Sequence, residues 1–161
     1  MASMHSMRMR PVLRWSPLLL ALLAPGDAAH AEKPSGPLCT LTIEMSGFHS
    51  DKGRALVGLY TSSKGFPDSP EAAIRRVPVS IRKGKARALL RQIPAGTYAV
   101  GVLHDEDGDH KMKTGMFGRP KEGYGASRDA RGRFGPPRFD DASLTLRPGQ
   151  SLRAPIKIVY H

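Results

Sequence analysis

One cysteine in 161 residues, Cys39, rules out an internal disulfide and with it the cross-linked small scaffolds common among secreted chains. Aromatics are only 6% of the chain, so a core has to be built mostly from aliphatic side chains. No apolar run approaches the ~20 residues that a membrane-spanning helix needs. There are no heptads, no internal repeat and no long amphipathic helical pattern, which excludes coiled coils, solenoids and helical bundles. Acidic residues are also scarce. Fourteen Asp and Glu face 25 Lys and Arg, for a net charge of +11.

What is present begins with an export signal. Arg8, Arg10 and Arg14 precede the apolar run Leu18–Ala24, and Ala29-His30-Ala31 has the small-x-small form of a cleavage site. Residues 1–31 are therefore expected to be removed, leaving a soluble exported domain in the periplasm or outside the cell, with no transmembrane segment. Removal takes away three cations and one anion, so the mature chain keeps 22 Lys and Arg against 13 Asp and Glu, a net +9. Such a surface favours polyanions, among them acidic envelope polymers and lipid headgroups. The cations nevertheless form no block of five in sequence, and export makes nucleic acid an improbable physiological partner.

After a short linker, residues 32–37, period-two alternation dominates residues 38–161. Cys39, Leu41, Ile43 and Met45 alternate with Thr40, Thr42, Glu44 and Ser46, predicting a half-buried strand in which Cys39 is a small apolar side chain. A turn at 50–53 and a strand over 54–60 suggest a hairpin. Ser69, Pro70 and Glu71 suggest one or two helical turns over 70–76. Further strands are expected near 79–81, 86–92, 97–103, 139–146 and 156–160, separated by turns at Arg82–Lys85, Pro94–Gly96 and Arg147–Gln150. Pro155 marks a break, bulge or edge. One face of the strand that ends at His104 carries Tyr98, Val100 and Val102. The other, with Ala99 and Gly101, is small enough for something to pack closely over it. The pattern predicts an all-β fold: a single antiparallel β-sandwich of about seven strands, immunoglobulin-like or transthyretin-like, with one long glycine-rich insertion loop, residues 104–137.

A connection of that length is uncommon in a compact domain and is often functional. Phe117, Tyr124 and Phe134 are the aromatics available to pin it down. It opens on His104-Asp105-Glu106-Asp107-Gly108-Asp109, where four carboxylates crowd into five positions and need a cation or Lys and Arg to neutralise them. Asp105, Asp107 and Asp109 match the first half of a calcium loop, and Glu122 can complete the site if the loop folds back. The second half of that motif is missing: His110, Lys113 and Met116 stand where glycine and oxygen ligands belong. The alternative is an acidic turn balanced by Lys111, Lys113, Arg119 and Lys121. His104 and His110 lack the third imidazole or thiolate of a zinc site. Gly123–Ser127 lacks the order of a nucleophile elbow, so Ser127 is not marked as a nucleophile.

These residues also carry a resemblance. Gly53–Tyr60, Pro94-x-Gly96-x-Tyr98-Ala99-Val100, His104–Asp109, Phe117-Gly118-x-Pro120-x-Glu122-Gly123-Tyr124-Gly125-x-Ser127 and Gly135-Pro136-Pro137-x-Phe139-x-x-Ala142 closely resemble an exported bacterial family catalogued as domain of unknown function 2141, over about residues 38–160. The resemblance implies an envelope-exported β-sandwich and no established activity. Members usually carry a fuller D-x-N-x-N-G-x-x-D-like loop, from which His110 and Lys113 depart, and Ala126 replaces their aromatic.

Two roles follow from the sequence. In the first, the chain is a binding or structural module contacting an envelope component. Its loop is organised by His104, Asp105, Glu122, Tyr124 and Ser127, and calcium is a possible ligand of Asp105, Asp107, Asp109 and Glu122. In the second, the chain is a metal-dependent hydrolase using His104, Asp105 and Glu122. A polyanion-binding basic protein is a further alternative. The first role buries these side chains in hydrogen bonds to the loop; the second aims them into a pocket.

Overall fold

The computed structural model describes residues 36–116, 119–133 and 135–160. The export signal, most of the linker, and Phe117 and Phe134 lie outside the described residues. Among the described residues there are eight strands: β1 (Cys39–Ser46), β2 (Arg54–Tyr60), β3 (Arg75–Val79), β4 (Lys85–Ile93), β5 (Gly96–Asp105), β6 (Tyr124–Ala126), β7 (Leu144–Leu146) and β8 (Ser151–Lys157). They form two sheets, one ordered β4-β1-β8 and the other β3-β2-β5-β6, with β7 pairing β5 beside β6. Between the sheets lie Leu41, Ile43, Met45, Val57, Leu59, Leu90, Ile93, Val100, Val102, Leu146, Ile156 and other apolar side chains in one core. The fold is the expected β-sandwich.

Alternation drives the arrangement. Every inward residue of β1 is buried, Cys39 included. The outer face of this sheet is solvated. β5 differs, because both of its faces are buried. Tyr98, Val100 and Val102 enter the main core, while Ala99 joins a second cluster with Tyr60, Phe66, Ala126 and Ala142. The small outer face foreseen for this strand is what permits that covering. A Cβ on Gly101 would press on Pro67, 3.2 Å away, with the Tyr60 and Phe66 rings just beyond.

Several local expectations give way. The turn at 50–53 does not close a hairpin, because β1 and β2 lie in different sheets and β2 pairs with β3 and β5. The turn at 82–85 and the Pro94–Gly96 turn likewise carry the chain from one sheet to the other. Period two identifies a buried face but not the neighbouring strand, and in a sandwich either sheet satisfies it. One pair, β1 with β8, is parallel. Pro155 sits in β8 at the edge of its sheet, where a missing N–H costs least. The helical turns shrink to a 3₁₀ turn at Pro70–Ala72. Phe139–Ala142 forms a four-residue helix, α1, ahead of the short β7.

β6 and β7 flank the same side of β5. β6 pairs with Gly101–Leu103 and β7 with Gly96–Tyr98, which leaves Val100 opposite the gap. The Ser127 hydroxyl fills that gap. It accepts the Val100 N–H at 2.9 Å and donates to the carbonyl of Ala142.

Candidate functional site

The site lies where β5 leaves the sheet. His104 and Asp105 end that strand and are almost wholly buried, as are Glu122 and Ser127. The His104 N–H donates to the Gly123 carbonyl at 2.7 Å, drawing the far end of the loop back against its start. Gly123 is required there, since a Cβ would overlap the Tyr160 ring.

Asp105 points into the loop. One carboxylate oxygen accepts the Gly108 N–H at 2.8 Å and the other the His110 N–H at 3.3 Å, with the His110 ring 3.6 Å away. Glu122 acts at the other end. It accepts the Glu106 N–H at 3.3 Å and the Lys113 N–H at 3.1 Å. The two buried carboxylates thus spend their oxygens on loop amides. Asp107 and Asp109 are exposed. They accept the N–H groups two residues on, from Asp109 and Lys111, and Asp107 also pairs with the Lys113 ammonium. The three aspartates of the crowded acidic stretch are therefore partnered by backbone amides and one lysine. One oxygen each from Asp105, Asp107 and Asp109 still lie within 4.8 Å of one another, whereas Glu122 is not in that group.

Among the described residues, a shallow concavity of about 400 Å³ is lined by Gly53, Arg54, Pro78, Asp105–Gly108 and His110, and His104 and Glu122 do not join Asp105 in lining it. Ser127 is a structural clamp in the second cluster. Tyr124 bridges through its backbone to Val159, exchanging N–H···O bonds of 3.0 and 2.9 Å that tie β6 to the chain end.

Sequence reasoning missed three neighbours of the His104 side chain: His49, Glu106 and Tyr160. The His104 Nε2 lies 2.9 Å from the carbonyl of Lys52, which can only accept. Nε2 therefore carries the proton, and Nδ1 accepts the Tyr160 hydroxyl at 2.7 Å. Tyr160 in turn accepts the His49 N–H at 3.2 Å and stacks on the His49 ring, with centroids 4.0 Å apart. Glu106 receives the Ser50 hydroxyl at 2.7 Å and lies 2.8 Å from His49 Nε2. The Ser50 hydrogen bond is the main effect holding the Glu106 carboxyl below its usual range, and His49 and His104 add to it against the opposing effect of burial. Burial pushes the Tyr160 phenol up. More than fifty residues separate His49 from Glu106 and Tyr160, so no local motif announces them.

Among the described residues, no buried side-chain nitrogen or oxygen lacks a hydrogen-bond partner, and no helix is long and apolar enough to cross a membrane.

None of the curated proteins matches the chain. Solved structures similar to it include two of a pilus-presented adhesin, Cpa. One is 12% identical with a TM-score of 0.23. The other, a cysteine-to-alanine mutant, is 13% identical with a TM-score of 0.21. In each the match covers 79% of this chain and 28% of the adhesin chain, and similarity at that level says nothing of what this chain binds. The sequence itself places the chain firmly: residues 43–153, most of the sandwich and the whole acidic loop, match the family described as "Uncharacterized protein conserved in bacteria (DUF2141)", and the chain belongs to that family.

Proposed function

We propose that the protein is an exported envelope module whose insertion, residues 104–137, is its contact surface. The observation that carries this is the burial of Asp105 and Glu122. A loop with little regular structure is given internal staples, two amides per carboxylate, while Asp107, Asp109, Lys111, Lys113, Arg119 and Lys121 face solvent. Fixing a loop before it binds reduces the ordering cost of association. Calcium is the simplest ligand for the outer carboxylates. It would have to displace Lys113 from Asp107, so binding belongs in the millimolar range of extracellular calcium modules. Photo-crosslinkers at Lys111 and Arg119 test the contact surface in intact cells. Capture of a discrete envelope component from both positions, and not from Arg91 on β4, is expected. Equal labelling from all three sites would refute a dedicated loop surface.

A second reading has its own observation. On the outer face of the three-stranded sheet, β4 exposes Lys85, Arg87 and Arg91 and β8 exposes Arg153 and Lys157, and register sets Lys85 across Ser46 of β1 from Lys157. Glu44 lies among them, 3.8 Å from Arg153, and the Asp129 carboxylate accepts the Lys157 N–H at 2.8 Å. Residues scattered in sequence thus form one flat basic face, suited to an anionic polymer or lipid surface. Retention on heparin at physiological salt, lost in an Arg87→Ala/Arg91→Ala variant, supports this reading. Elution of the unaltered protein at low salt counts against it.

A further inference from the structure

We propose that His49, His104 and Glu106 form a site for a zinc-class divalent ion at the mouth of the β5 exit. The inference stands apart from the role of the loop. One ligand atom from each of the three lies within 4.8 Å of the other two. His49 Nε2 is 2.8 Å from Glu106 Oε1, and His104 Nδ1 is 3.7 Å from the same oxygen. Zinc bonds of 2.0–2.2 Å at tetrahedral angles put neighbouring ligand atoms roughly 3.3 Å apart. The two spacings to Glu106 bracket that value and the third is no more than 4.8 Å, within reach of side-chain rotation.

The donor set matches the metal. Two imidazoles and one carboxylate suit a borderline ion such as zinc rather than calcium, which takes oxygen ligands. His104 is already prepared. Its Nε2–H is held by the Lys52 carbonyl, the outer contact that orients a metal-binding imidazole and leaves the Nδ1 lone pair directed at the cluster. The Phe48 ring, edge-on at 5.1 Å, and complete burial fix its plane. His49 has about half its side chain exposed and Glu106 about a quarter, which provides an entry path. The Tyr160 hydroxyl, 2.7 Å from His104 Nδ1, must yield that lone pair to the ion. It turns away when the ion binds. Three protein ligands leave one position open to water or a partner's side chain, the arrangement of a reactive or bridging site rather than a closed structural one.

The test uses untagged protein, titrated with Zn²⁺ against a chromogenic chelator, and with Co²⁺ followed by visible absorption. One equivalent of zinc should bind, with tetrahedral cobalt bands and a rise in melting temperature at saturating metal. Because His104 is buried, the decisive variants are the partly exposed His49→Ala and Glu106→Gln. Each should weaken zinc by roughly tenfold or more while the protein stays folded by circular dichroism. His110→Ala should leave affinity unchanged, and millimolar Ca²⁺ should not compete. The proposal is overturned by the absence of stoichiometric binding, by unchanged affinity in His49→Ala, or by loss of binding in His110→Ala instead.

Discussion

Asp105 and Asp107 are two residues apart and chemically identical, yet the fold uses them in opposite ways. Asp105 is 2% exposed and holds two loop amides at once. Asp107 is exposed, accepts one amide at 3.3 Å and pairs with a lysine in water. The same division separates Glu122 from Asp109. A carboxylate's contribution to this loop thus depends on whether its oxygens are its amides' only partners or merely compete with solvent.

The largest expected effect tests what sets Asp105 in place. Gly53 has φ of +68°, and a Cβ there would overlap the Asp105 carbonyl oxygen. Gly53→Ala combines left-handed strain with a backbone collision and should cost about 3 kcal/mol in chemical denaturation. Asp105→Asn comes next. The side chain keeps one acceptor but turns an NH₂ toward an amide, so a loss of about 1–3 kcal/mol is expected. Glu122→Gln should cost about 1–2 kcal/mol by the same argument. Its signature is faster hydrogen exchange at Glu106 and Lys113, the two amides it holds. Unchanged exchange there would show that the loop is held by something else.

Asp107→Asn and Asp109→Asn should each change stability by only about 0.5 kcal/mol or less, because exposed carboxylates exchange one partner for water. Their expected effect is on calcium. The unaltered protein should melt higher in millimolar calcium, and both variants should lose that shift. If no shift occurs in the unaltered protein, the outer carboxylates do not bind calcium. If stability falls as far as in Asp105→Asn, the contrast between the two pairs collapses.

Much of this was legible from residues alone. The alternation in β1 gave the buried face, and the small residues at 99 and 101 gave the covered outer face of β5. Strand pairing was not legible. The β1–β2 hairpin was expected because turn chemistry is local, whereas the choice of sheet depends on contacts made far along the chain. The His49–Tyr160–His104–Glu106 cluster was hidden for the same reason. His49 follows β1 and Tyr160 follows β8, strands distant in sequence that pair in parallel in one sheet, and β5 of the other sheet adds His104 and, just past its end, Glu106. The basic face was hidden by period two itself, which spaces cations apart in sequence and then sets them on one face of the sheet.

Asp51 sharpens the comparison at its weakest end. Like Asp105, it accepts two backbone amides, from Lys83 at 2.7 Å and Gly84 at 2.8 Å, and so caps the turn before β4. Unlike Asp105, it is exposed. Those bonds, Gly84 first and then Lys83, lower its carboxyl from the ordinary 3.8. A folded-state value below the unfolded one means that the unfolded chain takes up the proton first. The cap's contribution is therefore fully present above about pH 3.8 and disappears as acid carries the pH down through the depressed folded value. Asp51→Asn should flatten the fall in melting temperature over that acidic window and lower the neutral-pH melt by a matching, small amount. A neutral-pH loss as large as that of Asp105→Asn would mean that burial does not set the worth of a carboxylate cap in this fold.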